Sequence, residues 1–121
     1  MNNKPKTILM ADDDEIVLNV GRKMLERMDF NVLTAKDGPE AIKVYKNNKD
    51  KIDLVISDTV MPGDGEQLLK EIRKINPDAK IIMTSGDVSK KFGIAKLKVE
   101  GFIQKPYSFN DLSEIISKVL S

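Results

Sequence analysis

The chain contains no histidine and no cysteine. The first absence removes imidazole metal ligands, Ser-His catalytic arrangements and histidine acid-base chemistry. The second removes disulfides, thiolate nucleophiles and cysteine zinc sites. Any site must therefore run on carboxylates, hydroxyls, lysine and the backbone. A dominant charge is missing too: 20 lysines and arginines nearly balance 19 aspartates and glutamates, so no broad electrostatic footprint points to nucleic acid or an anionic membrane. Long apolar runs are lacking as well. The one that follows "MNNKPK" is far too short for a signal peptide, and no stretch approaches a membrane span. A soluble, cytoplasmic protein is the expectation.

What is present is alternation. Apolar runs of four to six residues alternate with longer segments of helical period, the pattern of an α/β domain with a parallel sheet. Strands are expected near Thr7 to Ala11, Asn31 to Ala35, Leu54 to Ser57, Lys80 to Thr84 and Gly101 to Gln104. Between them, "EIVLNVGRKMLERM" places Ile16, Val20 and Met24 on one helical face, joined by Val17 and Leu25. "DGPEAIKVYKN" opens with turn chemistry and a proline suited to a first helical turn, then spaces Ala41, Ile42 and Tyr45 helically. "EQLLKEIRKIN" repeats Leu68, Leu69, Ile72 and Ile75 and stops before Pro77. "SKKFGIAKLK" holds Gly93 and only a broken apolar stripe, so the fourth helix is weakly specified. "SFNDLSEIISKVL" opens with Ser108 and Asp111 at capping-box spacing and aligns Leu112, Ile115, Ile116, Val119 and Leu120. With 121 residues and no repeat or linker, a single domain over 1–121 is expected.

In such a sheet, ligands bind outside the carboxyl ends of the strands. Asp12 and Asp13 follow the first strand, Asp58 the third, Ser85 the fourth and Lys105 with Pro106 the fifth. Each has an ordinary reading: a solvated acidic loop or helix cap, an Asx turn before Pro62 and Gly63, a Ser-Gly turn, a surface lysine. Together they bring carboxylates, a hydroxyl and an ammonium to one edge. Clustered carboxylates suit a hard divalent cation, with Mg²⁺ the usual choice where a phosphate completes the shell, and a lysine with a hydroxyl suits phosphoryl oxygens. Asp14 is better read as the cap of the first helix.

Four segments, "ILMADDDEIV", "DLVISDTVMPGDG", "IIMTSG" and "GFIQKP", resemble in order and spacing the response-regulator receiver family of two-component signalling. The resemblance extends over essentially the whole chain. It implies a flavodoxin-like, doubly wound (βα)5 fold whose five-stranded parallel sheet has the order 2-1-3-4-5, flanked by helices on both faces; the order is that of the chemotaxis receiver, not read from this chain. It implies one receiver domain with no effector domain, a signalling phosphoacceptor rather than an enzyme, which catalyses its own phosphorylation and slow dephosphorylation. Asp58 would accept a phosphoryl group from a histidine kinase or histidine phosphotransfer protein. Asp13, Asp58 and the backbone carbonyl of Val60 would hold Mg²⁺ (or Mn²⁺), with Asp12 acting largely through water. Lys105 would pair with the carboxylate and then the phosphoryl group. Ser85 and Phe102 would form the switch, altering the surface of the fourth helix, fifth strand and closing helix. The downstream partner is unknown, and no direct nucleic-acid or membrane contact is expected.

Two features depart from the family pattern: "MPGDG" is a residue short after the phosphoacceptor, and the Gly93 region is shortened. Phe102 and Met61 also have ordinary packing readings. A haloacid-dehalogenase-like phosphatase needs an acid-base aspartate two positions after its nucleophile, where this chain has Val60. A flavin module would need a Ser/Thr/Gly loop after the first strand, and an EF-hand would need alternating acids and a central glycine; "DDDEIVLNV" offers neither.

Overall fold

The computed structural model describes residues 5–58, 65–86 and 99–121. The elements run β1 (Thr7–Ala11), α1 (Glu15–Arg27), β2 (Asn31–Ala35), α2 (Gly38–Asn47), β3 (Ile52–Asp58), α3 (Gly65–Ile75), β4 (Ile81–Ser85), β5 (Gly101–Gln104) and α4 (Phe109–Leu120). All strand pairs are parallel and the sheet order is β2-β1-β3-β4-β5, as expected. The expected fourth helix, around Gly93, lies outside the described residues, as do Val60, Met61 and the shortened loop. None of the helices of the described residues is long and apolar enough to cross a membrane.

Strand alternation divides the core. Leu9, Val55, Ile81 and Met83 face one side and pack on α2 (Ala41, Tyr45) and α3 (Leu68, Leu69, Ile72). Ile8, Met10, Leu54, Ile56, Ile82 and Ile103 face the other, against α1 (Leu18, Leu25) and α4 (Leu112, Ile116). The caps follow the sequence. Asp14 accepts from the amides of Ile16 and Val17, Asp37 caps α2 through the Glu40 amide, and Ser108 with Asp111 closes a reciprocal capping box on α4. Each satisfies amides that a helix start otherwise leaves unpaired.

Two expectations need correction. β3 begins two residues earlier than expected and β4 is shifted by one, so Asp58 and Ser85 are the last residues of their strands; the ladder pairs Asp58 with Thr84 and Ser85 with Gln104. The first helix, α1, adds what its spacing alone leaves open, namely which face is buried. Its buried residues are Leu18, Gly21 and Leu25, whereas Ile16 is 75% exposed and Val20 47%. The helix carries two apolar stripes, and Gly21 decides between them. A methyl group there would lie 2.5 Å from Cε and 2.6 Å from Sδ of Met10, and 3.2 Å from the Tyr107 hydroxyl. Without a side chain at Gly21, the helix sits down on β1 along that stripe and turns Ile16 and Val20 outward.

Gly21→Ala gains up to about 1 kcal/mol of helix propensity, and the atoms its methyl meets first are the flexible end of Met10, so the overpacking cost falls at the low end of about 1–3 kcal/mol. Urea denaturation is expected to show a stability within about 1 kcal/mol of wild type; a loss of about 3 kcal/mol or more would show that Met10 has no room to move aside.

Candidate functional site

The register brings the chemistry-bearing residues to one level. Ala11 pairs with Ser57, so Asp12, one residue beyond β1, stands level with Asp58, and Asp58 pairs with Thr84. Asp12 is fixed twice: its amide donates to the Ala35 carbonyl at 3.1 Å, and its Oδ1 accepts from the Asp14 amide at 2.8 Å. The Lys105 amide extends the β4–β5 ladder by donating to the Ser85 carbonyl at 2.8 Å. From there Lys105 Nζ reaches Asp12 Oδ2 at 2.6 Å and Asp58 Oδ2 at 3.0 Å.

Asp12 and Asp58 are buried and Asp13 is exposed, yet one carboxylate oxygen from each lies within 4.8 Å of the others. Three carboxylates against one ammonium leave a net negative site. Burial alone pulls the Lys105 pKa down; the hydrogen bonds to Asp12 and Asp58 and the field of those carboxylates more than reverse this, leaving it raised. Lys105 is therefore a fixed positive charge at neutral pH. Tyr107, nearby, has its phenol pushed up to about 12 by burial and then by the charge of Asp12, which makes it a neutral hydroxyl.

An all-oxygen donor set of this spread fits a hard divalent cation that keeps some of its waters. The expected site residues Asp12, Asp13, Asp58 and Lys105 thus converge. Ser85, fully buried, ends β4 at the same edge, but alternation aligns it with Met83, on the α2/α3 side. Phe102, paired with Met83, packs on that side as well. The charged groups and the Ser85/Phe102 pair therefore occupy opposite faces of one sheet end.

Two neighbours are not singled out by the sequence pattern. Tyr107 lines, with Pro106, Lys105, Ile16, Val20 and Met24, an apolar hollow of about 360 Å³; an aromatic directly after Lys-Pro is its only trace in the sequence. Thr84 reads as an ordinary strand residue, and only the register shows it beside Asp58.

The chain is 35% identical over 120 residues to the chemotaxis protein CheY of Halobacterium salinarum, covering 96% of this chain and 98% of that one. It is 34% identical over 118 residues to the sensor kinase CckA of Brucella abortus, covering 94% of this chain but only 12% of the kinase; the chain thus spans a small part of several of its curated relatives. Among solved structures, the response regulator TrrA of Thermotoga maritima, determined in complex with Mg²⁺ and BeF, superposes with a TM-score of 0.87 at 31% identity over 95% of this chain and 99% of that one. The family model of the response regulator receiver domain matches residues 8–117, and the chain belongs to that family, the receivers of two-component signalling.

Proposed function

We propose that Asp58 is the phosphoacceptor of this receiver domain, taking a phosphoryl group from the phosphohistidine of a histidine kinase or histidine phosphotransfer protein. The observation that carries the reading is the buried Asp58 carboxylate held by Lys105 Nζ at 3.0 Å beside two further carboxylates. A carboxylate oxygen attacks phosphorus; the new O–P bond forms as the N–P bond of the donor breaks, and that electron pair returns to the imidazole nitrogen. Lys105 is placed to follow the charge, donating first to Asp58 and then to an oxygen of the transferred group. Asp12, Asp13 and Asp58, with the Val60 carbonyl, would hold Mg²⁺ or Mn²⁺. When bound, the divalent ion offsets the carboxylate charge and neutralises the phosphoryl oxygens. In this reading the domain, residues 1–121, promotes its own phosphorylation and slow dephosphorylation and works in the cytoplasm.

The donor needs a way in, because this chain has no histidine of its own. The outward stripe of α1 supports one. Ile16 and Val20 are the large exposed hydrophobics of the described residues, and their hollow continues through Pro106 and Tyr107 to Lys105 at the site. An apolar patch at the rim of a charged centre suits a protein surface that must present a reactive side chain to Asp58.

Next to that hollow, and sharing Lys105 and Pro106 with it, a groove of about 510 Å³ runs along β5 and α4, lined also by Phe102, Asp111, Glu114 and Lys118. The new charge on Asp58 would draw Lys105 and the Ser85 hydroxyl toward it and bias Phe102 in that groove. The altered surface comprises the fourth-helix segment, β5 and α4, and no nucleic-acid or membrane contact is needed.

Incubated with Mg²⁺ and acetyl phosphate, the protein is expected to gain one phosphoryl, about 80 Da, and Asp58→Asn to gain none. A gain that persists in the variant would move the acceptor elsewhere. With a phosphohistidine protein that labels the wild-type chain, Ile16→Asp with Val20→Asp is expected to slow transfer about tenfold or more, leaving acetyl phosphate labelling unchanged. Equal slowing with both donors would place the defect in the site and not in docking.

A further inference from the structure

One side chain of the site is assigned no role by this chemistry. Lys105 leaves the sheet just beyond β5, while its targets are Asp58, the last residue of β3, and Asp12, just beyond β1. β4 lies between β5 and β3, so the lysine arm has to cross a strand, in a sheet whose neighbours are about 4.8 Å apart. At that level β4 presents Thr84, paired with Asp58 on one side and with Ile103 on the other. Alternation places it on the face of Ile82 and Ile103, the face shared by Asp58. Thr84 is only 2% exposed although it stands at the open end of the strand. The next residue of that parity, Gly86, has no side chain, and among the described residues nothing lies within 4 Å of where its Cβ would be. Register and alternation thus place Thr84, on that face, between the strand that carries Lys105 and the strand that carries Asp58.

We infer that Thr84 is a positioning residue for Lys105: its β-branched side chain is the floor that holds the lysine arm at the height of the Asp12 and Asp58 carboxylates. The stiffness of a β-branched residue at χ1 suits that role, since the floor keeps one shape while the ammonium moves from carboxylate to phosphoryl oxygen. Shape is the property required. An isosteric replacement preserves it, and a truncated one lets the arm sink away from the reacting oxygens, where a displacement of about 1 Å costs on the order of a hundredfold in rate.

The inference rests on the assignment of Asp58 as phosphoacceptor, and the test separates the two. Phosphorylation rates with Mg²⁺ and acetyl phosphate are measured for wild type, Thr84→Val, Thr84→Ala, Lys105→Ala and the Thr84→Ala/Lys105→Ala double variant. Mg²⁺ affinity is measured by calorimetry on the same proteins, and their folding is checked by thermal melting. Thr84→Val is expected to stay within about twofold of wild type, and Thr84→Ala to fall about tenfold or more with Mg²⁺ affinity not weakened. The double variant is expected to match Lys105→Ala alone, because a residue that acts through the lysine has nothing left to act on. Multiplicative losses in the double variant, a weakened Mg²⁺ affinity in Thr84→Ala, a wild-type rate in Thr84→Ala, or an equal loss in Thr84→Val would each overturn the role. A wild-type protein that takes up phosphoryl while Thr84→Ala does so equally well refutes this inference alone, whereas a wild-type protein that takes up none removes the Asp58 assignment with it.

Discussion

Everything at the site depends on one ammonium held between two buried carboxylates. Asp12 and Asp58 are drawn out of water at adjacent strand ends, where their charges repel, and Lys105 Nζ contacts both, at 2.6 and 3.0 Å. Leaving a buried charge uncompensated costs about 3–5 kcal/mol, so the lysine makes the resting arrangement tolerable. The compensation is incomplete, because Asp13 adds a third carboxylate that the lysine does not touch. The residual negative charge invites a cation, and with a cation present an anionic phosphoryl group can approach. Repulsion between carboxylates is thus the source of the site's chemistry.

The sheet supplies the precision. Parallel pairing sets Asp12, Asp58 and Thr84 at one height, and the Lys105 amide bound to the Ser85 carbonyl fixes where the lysine arm starts. Alternation then sends the charged groups toward the α1/α4 side and Ser85 with Phe102 toward the α2/α3 side. Lys105 and Pro106 line both the apolar α1 hollow and the β5–α4 groove, and Phe102, which also packs on the α2/α3 side, lines the groove, so the surroundings of Asp58 connect the two faces.

Much of this was legible in the sequence, for identifiable reasons. The strands are short apolar runs ended by polar residues, so the residues at their carboxyl ends, Asp12, Asp58, Ser85 and Lys105, could be picked out without coordinates. The caps at Asp14 and Ser108 were equally plain, because capping depends on local spacing, whereas Asp37, which caps α2, reads in the sequence only as turn chemistry. The buried face of α1 was not legible. Two apolar stripes compete on that helix, and the choice turns on Gly21 meeting Met10 and Tyr107, a contact between distant segments that no helical period encodes. Thr84 was hidden for a related reason: its relation to Asp58 exists only in the register between β3 and β4.

The central claim, that the buried carboxylates need a positive charge and that Lys105 provides it, is tested most directly by the melting temperature of Lys105→Met with a chelator and then with Mg²⁺. Methionine keeps an unbranched apolar arm of similar length and removes the ammonium with its charge and its hydrogen bonds to Asp12 and Asp58. The variant is expected to melt below wild type in chelator and to gain more on adding Mg²⁺, as the cation takes over the neutralisation. A variant that melts with wild type in chelator and gains no more from Mg²⁺ would contradict it.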